Sequence, residues 1–212
     1  YSTLTVAADT RIRLWNSSAS TYNALGGIYS QDHNSTNGLL HIYGNFTETT
    51  ASDYWSYATD FDGTSLGGSE RAVTVALASS ARYNLLGGSL SVIGAAGAST
   101  SVTNQGAGTY DIIIGGNGTT DWNYATVRNA SSSGVVFTGT PTVTDFSRVD
   151  IEVGANSGTG ITVGGTVLNS NPAKNFTSNV FATSTGVSSA TNVTATGTAV
   201  SSWRFTNHEG VI

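Results

Sequence analysis

Two carboxylates two positions apart on an extended strand are the first place to look for chemistry. Asp150 and Glu152 fit that description in Val149-Asp150-Ile151-Glu152-Val153. An extended chain would put them on one face about 7 Å apart. That separation suits hydrolysis of a sugar chain, which uses one carboxyl as acid and another as base or nucleophile. A lyase would add a cation to hold an enolate. Arg148 is the basic residue nearest in sequence. Asp60 and Asp62 form a second such pair, and with Asp53 and Glu70 they supply hard oxygens of the kind Ca²⁺ takes. Asp62 also precedes Gly63, as turn-forming aspartates do. Tyr54, Trp55 and Tyr57 lie beside these acids. Their faces could stack on the apolar faces of sugar rings, or pin a loop as a small satellite core.

Other catalytic classes find little footing. There is no Cys, so thiol nucleophiles, disulfides and thiolate metal sites are excluded. No Gly-x-Ser-x-Gly elbow is present. His33, His41 and His208 are far apart and lack a local partner pattern, so surface or packing roles are expected for them. Thr140-x-Thr142-x-Thr144 and Thr194-x-Thr196-x-Thr198 do not recur at the constant period an ice-binding array needs.

The elements that would position these groups are short strands. Charged residues are 10 % of the 212, Gly is at 26, and Ser with Thr exceed a quarter. Runs such as Val73–Leu77, Leu90–Ile93, Asp111–Ile114 and Val135–Phe137 are separated by Gly, Asn and Ser clusters. No run of helical length carries a 3.6-residue period. In Val149–Val153 apolar and acidic residues alternate, as on a strand with one face in the core. The Val135 and Ile161 strands stand 26 residues apart, with 155–158 as a turn and a looser unit from Phe176 to Val193. A period in the twenties is the mark of a solenoid.

A sandwich would need hairpin turns, for which Asn37-Gly38 and Asn117-Gly118 qualify. A solenoid needs small turn residues and few charges, because like residues stack on like. The composition fits the second better. The expected fold is therefore all-β, a right-handed parallel β-helix forming a single domain over 1–212. About 24 residues per coil would give about eight or nine coils in a column on the order of 40 Å long. The acidic, aromatic stretch near 50–68 is expected to be a loop excursion. Trp15 and Trp203 are expected to cap or pack within coils.

Several of these strings resemble the β-helical regions of large predicted secreted or surface proteins of uncultivated small-genome bacteria. They are Thr10–Ser18, Ile28–His33, Asp53–Gly63, Thr162–Val167 and Ser201–Gly210. The resemblance covers most of the chain and is most specific in the aromatic strings. It implies a parallel β-helix in a secreted protein and carries over no activity or site residue. Members of that group continue past the Trp203 string, and this chain begins at Tyr1 and has no Met. An excerpt or a processed product is therefore expected.

Charge and sequons bound the partners. The net charge is −5, with one Lys, Lys174, and seven scattered Arg. There is no basic stripe for phosphates, so nucleic acid is excluded as a partner. No apolar stretch is long enough to span a bilayer. Asn16, Asn34, Asn45, Asn117, Asn129, Asn175 and Asn192 head Asn-x-Ser/Thr sequons, which favour an extracellular or cell-surface glycoprotein. No cofactor is expected beyond the Ca²⁺ considered above. The expected function is structural: a non-enzymatic solenoid block of a surface appendage, filament or stalk. Its ends would associate with another copy or with neighbouring β-helix domains. A glycan-binding adhesin using Tyr54, Trp55 and Tyr57, and a polysaccharide-cleaving enzyme, are the alternatives.

Overall fold

The computed structural model describes residues 3–6, 11–15, 21–23, 28–31, 38–43, 45–48, 73–78, 82–85, 89–94, 96–97, 99–105 and 107–210. Along the chain the strands are β1 (Thr3–Val6), β2 (Arg11–Trp15), β3 (Thr21–Asn23), β4 (Ile28–Gln31), β5 (Gly38–Tyr43) and β6 (Asn45–Glu48). They continue with β7 (Val73–Ala78), β8 (Arg82–Leu85), β9 (Ser89–Ile93), β10 (Thr100–Gln105) and β11 (Tyr110–Ile114). Then come β12 (Thr119–Phe137), β13 (Thr142–Val153), β14 (Gly158–Gly164) and the short helix α1 (Gly165–Ser170). Last are β15 (Asn175–Thr177), β16 (Val180–Thr183), β17 (Ala190–Thr196), β18 (Arg204–Thr206) and β19 (Glu209–Gly210).

Each strand pairs in parallel with the strand one coil away, so the chain is a β-solenoid. Successive strands fall on three faces. The first face stacks β2, β5, β7, β10, the middle of β12, the end of β13, β16 and β19. At the spacing of neighbouring strands, those eight segments make a column about 35 Å long. The second stacks β3, β6, β8, β11, the end of β12, β14 and β17. The third is built from β9 and the starts of β12 and β13, followed by β15 and β18. The Asn117-Gly118 turn leads from β11 on the second face to the start of β12 on the third, which pairs with β9 and β13, so it does not join the arms of a hairpin.

The coils are not of one length. Val102, Val127, Ile151, Phe181 and Gly210 share an inward position, which gives coils of 25, 24, 30 and 29 residues. The constant period of about 24 is thus corrected. The faces keep their register, and the corners take up insertions. One of these is α1, which turns Val167 and Leu168 into the interior.

Inward positions are apolar and stack by kind. Trp122, Phe146, Phe176 and Phe205 form an aromatic column with centroid separations of 5.4, 6.2 and 5.6 Å. Phe137 meets Phe146 and Trp203 edge-on. Each such pair adds about 0.5–1.5 kcal/mol to the burial itself. The buried indole N–H of Trp122 donates to Thr120 Oγ1 at 2.6 Å, and that hydroxyl donates to Leu90 O at 3.0 Å. Trp203 packs on Phe137 and Phe176 within the last coils, as expected of it.

The corner between the third and first faces is a single residue in the left-handed region. Tyr124, Arg148, Ser178 and Asn207 hold it in four successive coils, with φ between 50° and 59°. A non-glycine residue there costs about 1–2 kcal/mol. Two buried asparagines tie coils together from inside. Asn179 Oδ1 accepts from Val149 N at 2.8 Å, and its Nδ2 donates to Phe146 O at 3.0 Å. Asn171 does the same for Val143 N and Pro141 O, at 2.8 and 2.7 Å. Each amide replaces a stretch of strand pairing where the coil above has turned away.

Like charges also stack. Asp121 sits in register with Asp145 on the third face. Burial, and then the Asp145 charge, hold the Asp121 carboxyl above its ordinary value. The folded state therefore binds this proton more tightly than the unfolded one. The associated stability is full below the unfolded value of 3.8 and is lost as pH rises through the folded value. Asp121→Asn is expected to raise the melting temperature at pH 7 by about 1–3 °C, after allowing for solvent screening. At pH 3 it is expected to change nothing. Calorimetry at both pH values checks this, and an equal gain at both would refute it.

Candidate functional site

Asp150 and Glu152 lie on the first face and line a shallow groove of about 150 Å³ with Thr126, Arg128, Ile151, Val180 and Ala182. The stacking makes this groove. Thr126, Asp150 and Val180 are in register, as are Arg128, Glu152 and Ala182. The small Val180 and Ala182 leave room above the acids. Arg128 Nε stands 3.4 Å from Glu152 Oε2. Ser184 Oγ donates to Glu152 Oε1 at 2.7 Å. Burial raises the Asp150 carboxyl above its ordinary range; Arg128 opposes that shift and the Glu209 charge adds to it.

The basic partner of the acids is thus Arg128, not Arg148. Arg148 shares sequence parity with Asp150, so unbroken alternation would set both on one face. Its left-handed backbone (φ 55°) turns the strand instead. The Arg148 guanidinium lies 5.1 Å from the Tyr124 ring centre and donates to Asn123 Oδ1 at 3.2 Å. Arg128 was within reach of the sequence, since one coil of about 24 residues carries position 152 back to 128.

In chemical terms the groove holds one ion-paired carboxylate and one carboxyl with raised affinity for its proton. The Glu152 carboxylate is engaged on both oxygens.

Tyr54, Trp55, Tyr57, Asp53, Asp60, Asp62, Glu70 and His33 lie outside the described residues. Among the described residues no three His, Cys, Asp or Glu side chains gather to hold a metal ion. His208 is exposed beside the Asn207 corner. Of the sequons, Asn16 and Asn34 lie outside the described residues and Asn45 opens β6. Asn117 is exposed in the turn after β11, and Asn175 is exposed at the start of β15. Asn192 is half-buried on β17. Asn129 is half-buried, and its Nδ2, the atom a glycan would take, donates to Asn104 Oδ1 at 2.8 Å.

A second feature was not tied to named residues by the sequence. β17, β18 and β19 have no further strand beside them among the described residues. Val193, Trp203 and Phe205 in this last coil are only partly buried against the core.

No helix among the described residues is long and apolar enough to cross a membrane. No family model, curated protein or solved structure matches the chain.

Proposed function

We propose that this chain is a non-enzymatic, extracellular structural protein, a β-solenoid block of a surface appendage, filament or stalk. The observation that carries the reading is the unbroken parallel stacking of the coils. Strands of successive coils stack in parallel on three faces around one apolar core, with the ladders in register from coil to coil. Such a column extends along one axis by adding coils, as a stalk or appendage requires. The groove acids support the same reading. Glu152 is committed to Arg128 and Ser184, an arrangement that ties neighbouring coils together on an outward face. The exposed Asn117 and Asn175 sequons suit an extracellular surface.

Negative-stain electron microscopy with light scattering, beside a glycan array and an acidic-polysaccharide digest, tests the proposal. Stiff rods, with no glycan retained and none cleaved, are expected. Particles that bind or cleave a glycan at micromolar protein would overturn it in favour of an adhesin or a hydrolase.

A further inference from the structure

Asn117-Gly118 turns no hairpin and takes no part in the groove. It lies in the corner Gly115-Gly116-Asn117-Gly118 between β11 and β12, where Gly116 has φ +60°. Asn117 is exposed, and its amide makes no hydrogen bond among the described residues. Gly118 N donates to Gly115 O only at 3.5 Å, longer than such a bond usually is. Gly118 has no Cβ to crowd that nitrogen. The two carbonyls around Asn117 are held, since Gly116 O and Gly118 O accept from Thr140 N and Thr142 N of the next coil, both at 2.7 Å. Other asparagines that precede a small residue have their side chains engaged. Asn156 Oδ1 accepts from Ser188 N at 2.8 Å, and the following nitrogen, Ser157 N, donates to Ser189 O at 2.8 Å. Asn169, within α1, accepts from Val200 N at 2.8 Å through its Oδ1. Asn129 Nδ2 donates to Asn104 Oδ1 at 2.8 Å.

We propose that Asn117 is a site of spontaneous deamidation, at which the chain converts its own amide to a carboxylate with water as the co-reactant. Gly118 N attacks Asn117 Cγ and gives up its proton to water. The new N–Cγ bond closes a cyclic imide, and Nδ2 takes up a proton and leaves as ammonia. Water then opens the ring. Addition at Cγ breaks the new bond and gives aspartate with the main chain as before. Addition at the backbone carbonyl carbon breaks the original peptide bond and gives isoaspartate, with the main chain running through Cβ and Cγ. The balance is one amide and one water to one carboxylic acid and one ammonia, with nothing oxidised or reduced. Either product puts a negative charge on this corner and removes the nitrogen that a glycan would take, so deamidation and glycosylation exclude each other here. Isoaspartate also lengthens the main chain between the two carbonyls that the next coil holds, and so loosens the start of β12.

Ageing of the whole, unglycosylated chain in mildly alkaline buffer tests it, read by peptide mapping with mass spectrometry and by enzymatic methylation of isoaspartate. Asn117 is expected to convert about tenfold or more faster than Asn129, Asn156 or Asn169, because its amide is unheld and its attacking nitrogen is close and uncrowded. Isoelectric focusing of the native protein should show a more acidic species growing in step. Asn117→Ser is expected to abolish that species, with thermal unfolding unchanged. The map of the wild-type chain decides the matter even if this variant folds poorly. Conversion at Asn129, Asn156 or Asn169 as fast as at Asn117 would overturn the proposal. So would a folded chain that keeps Asn117 intact while the urea-unfolded chain converts it, since the held carbonyls would then be preventing ring closure.

Discussion

Gly134→Val is expected to unfold the chain, or to destabilise it by more than about 4 kcal/mol, the range of the most severe single substitutions. Two independent causes act at this position. Gly134 turns the chain from the first face to the second with φ +63°, where a side chain is strained. A β-branched residue is the worst fit there. The second cause is space. A Cβ at this position would lie 2.1 Å from Gly160 O and 2.2 Å from Thr159 O, both backbone atoms of the coil above. Neither carbonyl can retreat without dragging β14 out of register with β12. Gly186→Ala separates the causes. Gly186 has φ +89° with nothing within 4 Å of an added Cβ, so it bears the backbone strain alone, about 1–2 kcal/mol. Urea unfolding of the two variants checks the difference. Equal losses would mean that the coil above yields, and that the column is looser than its geometry implies.

Close stacking also explains which parts of the molecule were legible in the sequence. The parallel β-solenoid was readable because few charges and many small polar residues suit ladders of like on like. Val149–Val153 could be assigned its faces from alternation alone, and Ile151 is buried as that alternation requires. What failed was nearness in sequence as a guide to nearness in the groove. Arg148 was considered beside Asp150 on that basis, and its left-handed backbone carries it to the Tyr124 ring instead. The type of residue gave no warning, for Tyr, Arg, Ser and Asn all occupy this corner. Coil length misled in the same way, since the corners absorb the extra residues while the ladders stay in step. Arg128 was missed because a candidate was sought nearby in sequence, whereas in a solenoid the neighbours lie one coil away. Asn171 and Asn179 carried no signal among so many asparagines. Their role depends on being buried opposite a corner, which only the fold decides.

Asn179→Ala is expected to cost about 3–5 kcal/mol, far above the usual effect of removing a polar side chain. The amide is fully buried and serves two backbone groups at once, Val149 N and Phe146 O, on either side of the Arg148 corner. Alanine orphans both without admitting water, and each buried group left unpaired costs about 1–3 kcal/mol. Asn179→Leu nearly keeps the volume and is expected to do no better, which separates hydrogen bonding from packing. Asn179→Asp is the decisive variant. Ionised, it still accepts from Val149 N but cannot donate to Phe146 O, and it buries a charge. Protonated, it can serve both groups as the amide does. Burial raises the folded pKa of such a carboxyl above the unfolded value. Its stability is then fullest below the unfolded value and falls as pH rises through the folded one. The Asp variant should therefore approach wild type near pH 3 and resemble Asn179→Leu at pH 8, as thermal unfolding across that range would show. A loss that ignores pH would mean that Asn179 fills space instead of bridging coils. The ladders would then be held at this corner by the aromatic column alone.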